Sequence, residues 1–263
     1  MDLKTIIIPI LILLHVSLSG QVNDSINRTD KEGKKQGHWI KKYPTGHVQY
    51  DGYFKDDQPI GIFKRFFEND SVWSVLAFSN DGKVAEATIY HPDGFIASKG
   101  KFMNQLKEGK WSFYSEKIEG YLVCEEEYIN NLKNGPSIKY YPDKTIAEKL
   151  NYSKDIRTGE WEQYFPNGNI CLKASYIDGM LQGQFEVFFT DGKPEYVGQY
   201  KNDARDGLWN IYNPDGTLKN NIEYVAGAAK NPDLYRKESD YLDSLEKNKG
   251  KISDPEKTGT LWE

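Results

Sequence analysis

The chain has 263 residues, a net charge of −5, 14% aromatic residues and a mean hydropathy of −0.71. This length is enough for one sizeable core. Because the basic residues are interleaved with acidic ones and form no basic face, the composition argues against an electrostatic nucleic-acid binder.

Residues 1–20 predict a secretory signal peptide. A charged start is followed by an apolar run from Ile6 to Leu14 and by small residues up to Gly20. The apolar run is shorter than the roughly 20 residues that cross a bilayer. We therefore expect a secreted, periplasmic or envelope protein, with an uncleaved membrane anchor as the alternative. Residues 21–36 are polar and are predicted to form a linker.

Residues 37–227 repeat a pattern of about 24 residues. The anchors of the pattern are Gly37, Gly61, Ala85, Gly109, Gly135, Gly159, Gly183 and Gly207, and only the step after Gly109 is longer, at 26 residues. Counting each anchor as position zero, position 2 holds four of the six tryptophans and position 17 is aromatic in every unit once that insertion is allowed. Turn residues such as Pro166-Asn167-Gly168 separate two alternating runs, so each unit predicts a β-hairpin.

The repeated frame G-x-W-x-x-Y…P-x-G…Y…G resembles the MORN-repeat proteins, and more closely the bacterial MORN repeat variant, which is often described as antitoxin-like. The resemblance implies an all-β, elongated antiparallel sheet of about eight hairpins, with no catalytic residues. Since an isolated hairpin is marginally stable, neighbouring units must bury one another. The third unit lacks the glycine and the ring at position 2. The fourth has a longer loop at 115–120, which is either harmless variation or a recognition feature.

Residues 228–263 differ in composition from the repeats. Asn231-Pro232-Asp233 is a typical helix start, and four apolar residues before Gly250 lie on roughly one helical face: Leu234, Tyr241, Leu242 and Leu245. We expect one amphipathic helix that covers the last hairpin, followed by a loose tail. Binding of a partner by this helix is the alternative.

No catalytic, cofactor or metal site is predicted. Cys124 and Cys171 fall four strands apart, roughly 19 Å, which is too far for a disulfide, so both are expected to stay thiols. His38 and His47 flank one strand of the first unit and could meet across the hairpin, but there is no third ligand, so exposed histidines are the preferred interpretation.

The repeat pattern favours a non-catalytic protein-interaction module, either an exported scaffold or an antitoxin-like or immunity-like protein. Its partner is expected to be a protein of unknown identity. The predicted contacts are the rings at position 5, Tyr164, Phe188 and Tyr212, which neighbour polar residues. The tryptophans at position 2, Trp111, Trp161 and Trp209, are expected to hold the array together. A carbohydrate-binding envelope protein is the alternative, because exposed rings also stack on sugars.

Overall fold

The computed structural model describes residues 25–230, and these residues form one antiparallel sheet without a helix. The sheet has 19 strands in chain order: β1 (Arg28–Thr29), β2 (Lys35–Lys42), β3 (Val48–Lys55), β4 (Gln58–Phe66), β5 (Val72–Phe78), β6 (Val84–Tyr90), β7 (Ile96–Met103), β8 (Leu106–Tyr114), β9 (Leu122–Ile129), β10 (Leu132–Tyr140), β11 (Ile146–Ser153), β12 (Ile156–Tyr164), β13 (Ile170–Ile177), β14 (Met180–Leu181), β15 (Gly183–Phe188), β16 (Pro194–Lys201), β17 (Ala204–Tyr212), β18 (Leu218–Val225) and β19 (Ala228–Ala229).

From β1–β2 to β18–β19 each strand pairs with the strand before it and the strand after it, except that β14 and β15 do not pair with each other. β14 and β15 both pair with β13, because Gln182 interrupts what is otherwise one strand. The sheet is therefore an open meander, and the predicted all-β antiparallel architecture is confirmed. The predicted signal peptide and the predicted helix after residue 230 lie outside the described residues.

The predicted linker differs from the structure over its described part. β1 pairs with β2, and β2 already begins at Lys35. The side chain of Asn27 replaces a strand partner at this edge: its amide donates to the carbonyl of Ile40 at 3.0 Å and accepts from the Ile40 N–H at 2.8 Å. These bonds explain why a polar segment without strand-like alternation joins the sheet, since it satisfies an edge that would otherwise be bare.

The two long sides of the sheet have different turns. On one side, here called the tip edge, the turns follow the pattern of Phe165–Asn169, where the Phe165 N–H bonds to the Asn169 carbonyl at 2.8 Å. On the other side, the link edge, most turns have two residues, and both have positive φ, for example Asn130 at 49° and Asn131 at 70°. Such turns match the right-handed twist of the strands that they join.

The anchor glycines produce β-bulges. Gly109 and Gly207 have φ of 66° and 69°, and the pairing register shifts opposite each of them. β5 and β6 pair without a shift where Ala85 replaces the glycine. The repeated glycine is therefore needed because the bulge requires a left-handed backbone conformation. The third unit has no bulge at this position, so it does not need the glycine.

One face of the sheet is buried, although no second layer covers it in the described part of the chain. Trp111, Trp209 and Tyr128 are at most 1% exposed. The rings cover one another: the Trp209 ring centroid lies 5.3 Å from that of Tyr200 and 5.9 Å from that of Tyr224. The three tryptophans at position 2 that are predicted to hold the array together, Trp111, Trp161 and Trp209, are all buried.

Small residues on this buried face stand opposite large ones. A Cβ on Gly198 would lie 2.2 Å from the Trp209 ring, and Gly100 is covered in the same way by Trp111. These pairs stand where the second strand of one unit meets the first strand of the next: Gly52 with Phe63, Leu76 with Ala87, Gly100 with Trp111, Ala174 with Phe185, and Gly198 with Trp209. Leu150 faces Trp161, and there the indole N–H bonds to Glu148 at 3.3 Å instead of to a backbone carbonyl as in Trp111 and Trp209. At these junctions between successive units a small residue therefore leaves room for a large one, and at the junction where both residues are large, Leu150 and Trp161, the indole N–H has a different hydrogen-bond partner.

Two hydrophobic clusters share the buried face. The first extends from Phe63 to Tyr128 and the second from Leu150 to Tyr224. Polar residues on β9 to β11 separate them, and we call this group the polar seam: Glu126, Lys133, Ser137, Lys139 and Glu148. Within the seam the Lys133 Nζ lies 3.1 Å from Glu126 and the Lys139 Nζ lies 2.8 Å from Glu148.

Candidate binding surface

The opposite face, here called the outer face, carries the predicted contact rings. Tyr164, Phe188 and Tyr212 are the last residues of β12, β15 and β17, and all three are half-buried. One intervening strand separates neighbouring rings, which places them about 10 Å apart in a row. The structure therefore brings the three residues into one row.

Tyr164 is embedded in charged groups. Its hydroxyl donates to Glu162, and the Lys149 Nζ lies 5.2 Å from its ring centroid. Burial and the bond to Glu162 raise the pKa of the Tyr164 hydroxyl, so the phenol is neutral at physiological pH. The ring thus offers one apolar surface beside a cation and an anion.

Tyr140, one unit earlier, is likewise bonded to a carboxylate, here one on the neighbouring strand. Its hydroxyl donates to Glu125 at 2.8 Å, and Lys110 lies 2.7 Å from that carboxylate. Burial and the bond to Glu125 raise the pKa of Tyr140 to about 12. Burial of Glu125 is outweighed by its contacts with Lys110 and Tyr140, so the pKa of this carboxyl is lowered. The centre of the outer face therefore carries paired lysine and glutamate side chains, and the tyrosines lie beside them on the side of the tip edge.

Hydrogen bonds between units fix the backbone of the position-5 row. The Tyr141 hydroxyl donates to the Tyr164 carbonyl at 2.7 Å, and the Tyr43 hydroxyl donates to the Phe66 carbonyl at 2.8 Å. Tyr121, which follows the longer loop at 115–120, donates to the Tyr140 carbonyl at 2.7 Å. Sequence reasoning missed these bonds, although the recurring rings just before the tip turns were a readable signal. The longer loop therefore still delivers a hydroxyl to the same place.

The link edge has its own connection between units. The second residue of a link turn bonds to the backbone near the start of the strand that follows the preceding link turn. The Asp155 carboxylate accepts from the Lys133 N–H at 2.6 Å, and the Asp155 N–H donates to the Lys133 carbonyl at 2.9 Å. Asp203 makes the same pair of bonds with Leu181, at 2.7 and 3.0 Å. Hydrogen bonds thus connect successive units along both long sides of the sheet, and they restrict the motion of the outer face.

A second feature of the surface was not predicted. Seven large apolar side chains flank consecutive link turns and are 39–58% exposed; we call them the link row: Met103, Leu106, Ile129, Leu132, Ile156, Ile177 and Met180. They lie on strands β7 to β14. A signal for the link row was present in the sequence, since an apolar residue stands on both sides of several polar two-residue turns. Contiguous apolar surface of this kind marks an interaction site more often than scattered single residues do.

The histidines and cysteines form no joint site in the part of the chain that is described. His38 bonds to Asp51 at 2.7 Å and His47 to Asp70 at 2.8 Å, so they have different partners. Cys124 is buried on β9, Cys171 is half-buried on β13, and they form no disulfide, as predicted. Residues 25–230 contain no group of three or more His, Cys, Asp or Glu that could hold a metal ion, nor a helix able to cross a membrane.

Four segments match the model of the MORN repeat variant family. They are residues 35–56, 133–154, 157–178 and 181–202. Each matching MORN segment contains a strand pair and ends at the first residue of a link turn. Between residues 57 and 132 the same sheet continues through the unit without an anchor glycine and the unit with the longer loop. No curated protein matches the chain.

Proposed function

We propose that this chain is a non-catalytic protein-interaction module built on MORN-type repeats. MORN repeats are commonly binding modules, and four are recognised here. We extend the register to eight units, from Gly37 to Gly227, and place an amphipathic helix at 231–250. The bulged glycines and the position-17 rings support this extension.

One observation carries the proposal: the row formed by Tyr164, Phe188 and Tyr212 is half-exposed on a sheet whose units are hydrogen-bonded to one another along both long sides. A rigid ring surface loses little conformational entropy on binding, and aromatic anchors beside paired charges are typical of interface hot spots. The form of the surface, a row on a sheet face, supports binding of an extended partner surface.

We further propose that the module acts outside the cytoplasm as a scaffold or an immunity-like binder. The pattern of residues 1–20 supports export, and the mixed charges around Tyr164 and Tyr140 suit a polar protein partner. The experiment is capture of partners from envelope extract with the mature protein and with the triple variant Tyr164→Ser, Phe188→Ser, Tyr212→Ser.

The triple variant should lose the captured partner with little change in melting temperature. The control variant Tyr164→Phe, Tyr212→Phe retains the rings and should retain the partner. Capture that survives in the triple variant would reject the position-5 row as the contact surface. Capture of glycans and not of proteins by the same row, read on a glycan array, would replace the proposal with carbohydrate binding.

A further inference from the structure

The described chain leaves the sheet on its last strand, near the link edge. β19 follows the link turn Ala226-Gly227, and the Lys230 N–H bonds to the Glu223 carbonyl at 2.9 Å. Val225, next to this exit, is 52% exposed. The chain runs only three residues back from this turn, so the following 33 residues, 231–263, start nearer to the link edge than to the tip edge.

We propose that residues 231–250 dock in cis along the link edge and cover the near half of the link row. The inference rests on the helix proposed above for this segment and is independent of the position-5 row. An intramolecular ligand acts at an effective concentration that a separate partner rarely reaches, so a short tether favours the cis occupant.

The spacing of the segment matches the spacing of the sheet. Strands are about 4.8 Å apart, so Val225 lies roughly 5 Å from β19, Met180 roughly 19 Å and Ile177 roughly 24 Å along the edge. A helix rises 1.5 Å per residue, which places Leu234 about 6 Å, Leu242 about 18 Å and Leu245 about 22 Å from Lys230. The apolar positions of the helix therefore coincide with those of the edge.

The polar residues of the segment also lie opposite the polar part of the link edge. Between Val225 and Met180 the link edge carries the exposed Lys201 and the turn Asn202-Asp203 instead of large apolar side chains. The helix stretch opposite this gap is Arg236 to Asp240, at about 9–15 Å from Lys230. A helix of 20 residues is about 30 Å long and ends near Ile156 on β12, roughly 29 Å from β19.

Limited trypsin digestion of the full mature chain tests the docking, because Arg236, Lys237 and Lys247 are cleavage sites inside the segment. In the variant Ile156→Asp, Ile177→Asp, cleavage there should be at least about tenfold faster than in the wild type, since cleavage follows the population of the undocked state. Leu242→Asp, Leu245→Asp should give the same acceleration from the other side of the contact. The matched control, Ile62→Asp, Leu218→Asp, changes residues of similar exposure away from the path and should leave the rate unchanged.

Unchanged cleavage in both docking variants would overturn the inference, whether the segment is cut quickly or slowly throughout. A dimer that dissociates in Ile156→Asp, Ile177→Asp, with cleavage rates unchanged, would instead assign the link row to a second copy of the chain. Circular-dichroism melts of all variants identify any loss of fold. Partner capture by the position-5 row should be unaffected, so failure here is distinguishable from failure of the proposed function.

Discussion

Gly198→Ala tests the volume pairing on the buried face. Gly198 has no positive φ, so the effect of a methyl group is steric: the new Cβ would lie 2.2 Å from Cδ2 of Trp209. The indole is 1% exposed and is bounded by three rings at centroid distances of 5.3 to 5.9 Å, those of Phe185, Tyr200 and Tyr224, so it has no free space to move into. Overpacking costs about 1–3 kcal/mol, partly offset by about 0.4–1 kcal/mol from the stiffer unfolded chain. We expect a net loss of about 1–2 kcal/mol in the free energy of unfolding.

A double-mutant cycle isolates the contact. Gly198→Ala with Trp209→Phe recreates the natural pair Ala174 and Phe185, so the alanine should cost at least about 1 kcal/mol less in that background. The control is Gly159→Ala, whose φ of +71° is strained but whose Cβ would meet nothing within 4 Å; its cost should not depend on Trp161→Phe. Urea unfolding followed by circular dichroism gives the energies. A coupling energy below about 0.3 kcal/mol for the first cycle would refute steric pairing, since that is ordinary additivity.

Three further predictions concern the repeat. Deletion of residues 159–182 removes one period and should leave a folded sheet, whereas deletion of 159–170 removes one strand and should not fold; equal circular-dichroism melts would contradict the hairpin register. Tyr141→Phe should lower the free energy of unfolding by about 0.5–1.5 kcal/mol, the net contribution of its hydrogen bond to the Tyr164 carbonyl. Urea unfolding measures this loss, and Tyr114→Phe is the control for removal of a tyrosine hydroxyl. Both cysteines should react with iodoacetamide after unfolding without reductant; in the native state Cys124 should be protected by burial and Cys171 slowed because burial raises the pKa of its thiol.

The sequence was informative where one physical requirement recurs at one position. Glycine recurs because a bulge needs positive φ, and rings recur at positions 2 and 17 because a single-layer sheet must cover its own buried face. These requirements predicted the strands and the buried tryptophans. The link row could not be predicted by the same reasoning, because apolar residues at turn flanks are interpreted as buried until the sheet shows that they are exposed within residues 25–230.

The polar seam was also beyond the sequence pattern. Ser137 at position 2 reads as a degenerate repeat, and Glu126 and Glu148 read as ordinary strand residues. Only the pairing of β9, β10 and β11 shows that these carboxylates are buried opposite Lys133 and Lys139. A long-range register, not a local propensity, creates the seam.

The seam should make the cooperativity of the array depend on pH. Burial of Glu148 is outweighed by Lys139, Gln163 and Trp161, so the pKa of this carboxyl is lowered in the folded state. A lowered folded pKa contributes stability that is present above the unfolded pKa, and this stability is lost as the pH falls through the folded value. Stability should therefore decline below about pH 4.5 with a contribution that Glu148→Gln lacks.

At neutral pH, Glu148→Gln should itself cost about 3 kcal/mol, because it leaves the ammonium of Lys139 on a buried face without its carboxylate. In an array stabilised by nearest-neighbour contacts, weakening one interface separates the units on either side of it. Urea unfolding of single-tryptophan proteins that retain Trp111 or Trp209 reports the two hydrophobic clusters separately. Their midpoints should coincide at pH 7 and separate progressively as the pH falls below about 4.5, and in Glu148→Gln they should differ already at pH 7. Coincident midpoints under all three conditions would show that the rings on either side, and not the seam, determine how the two clusters unfold.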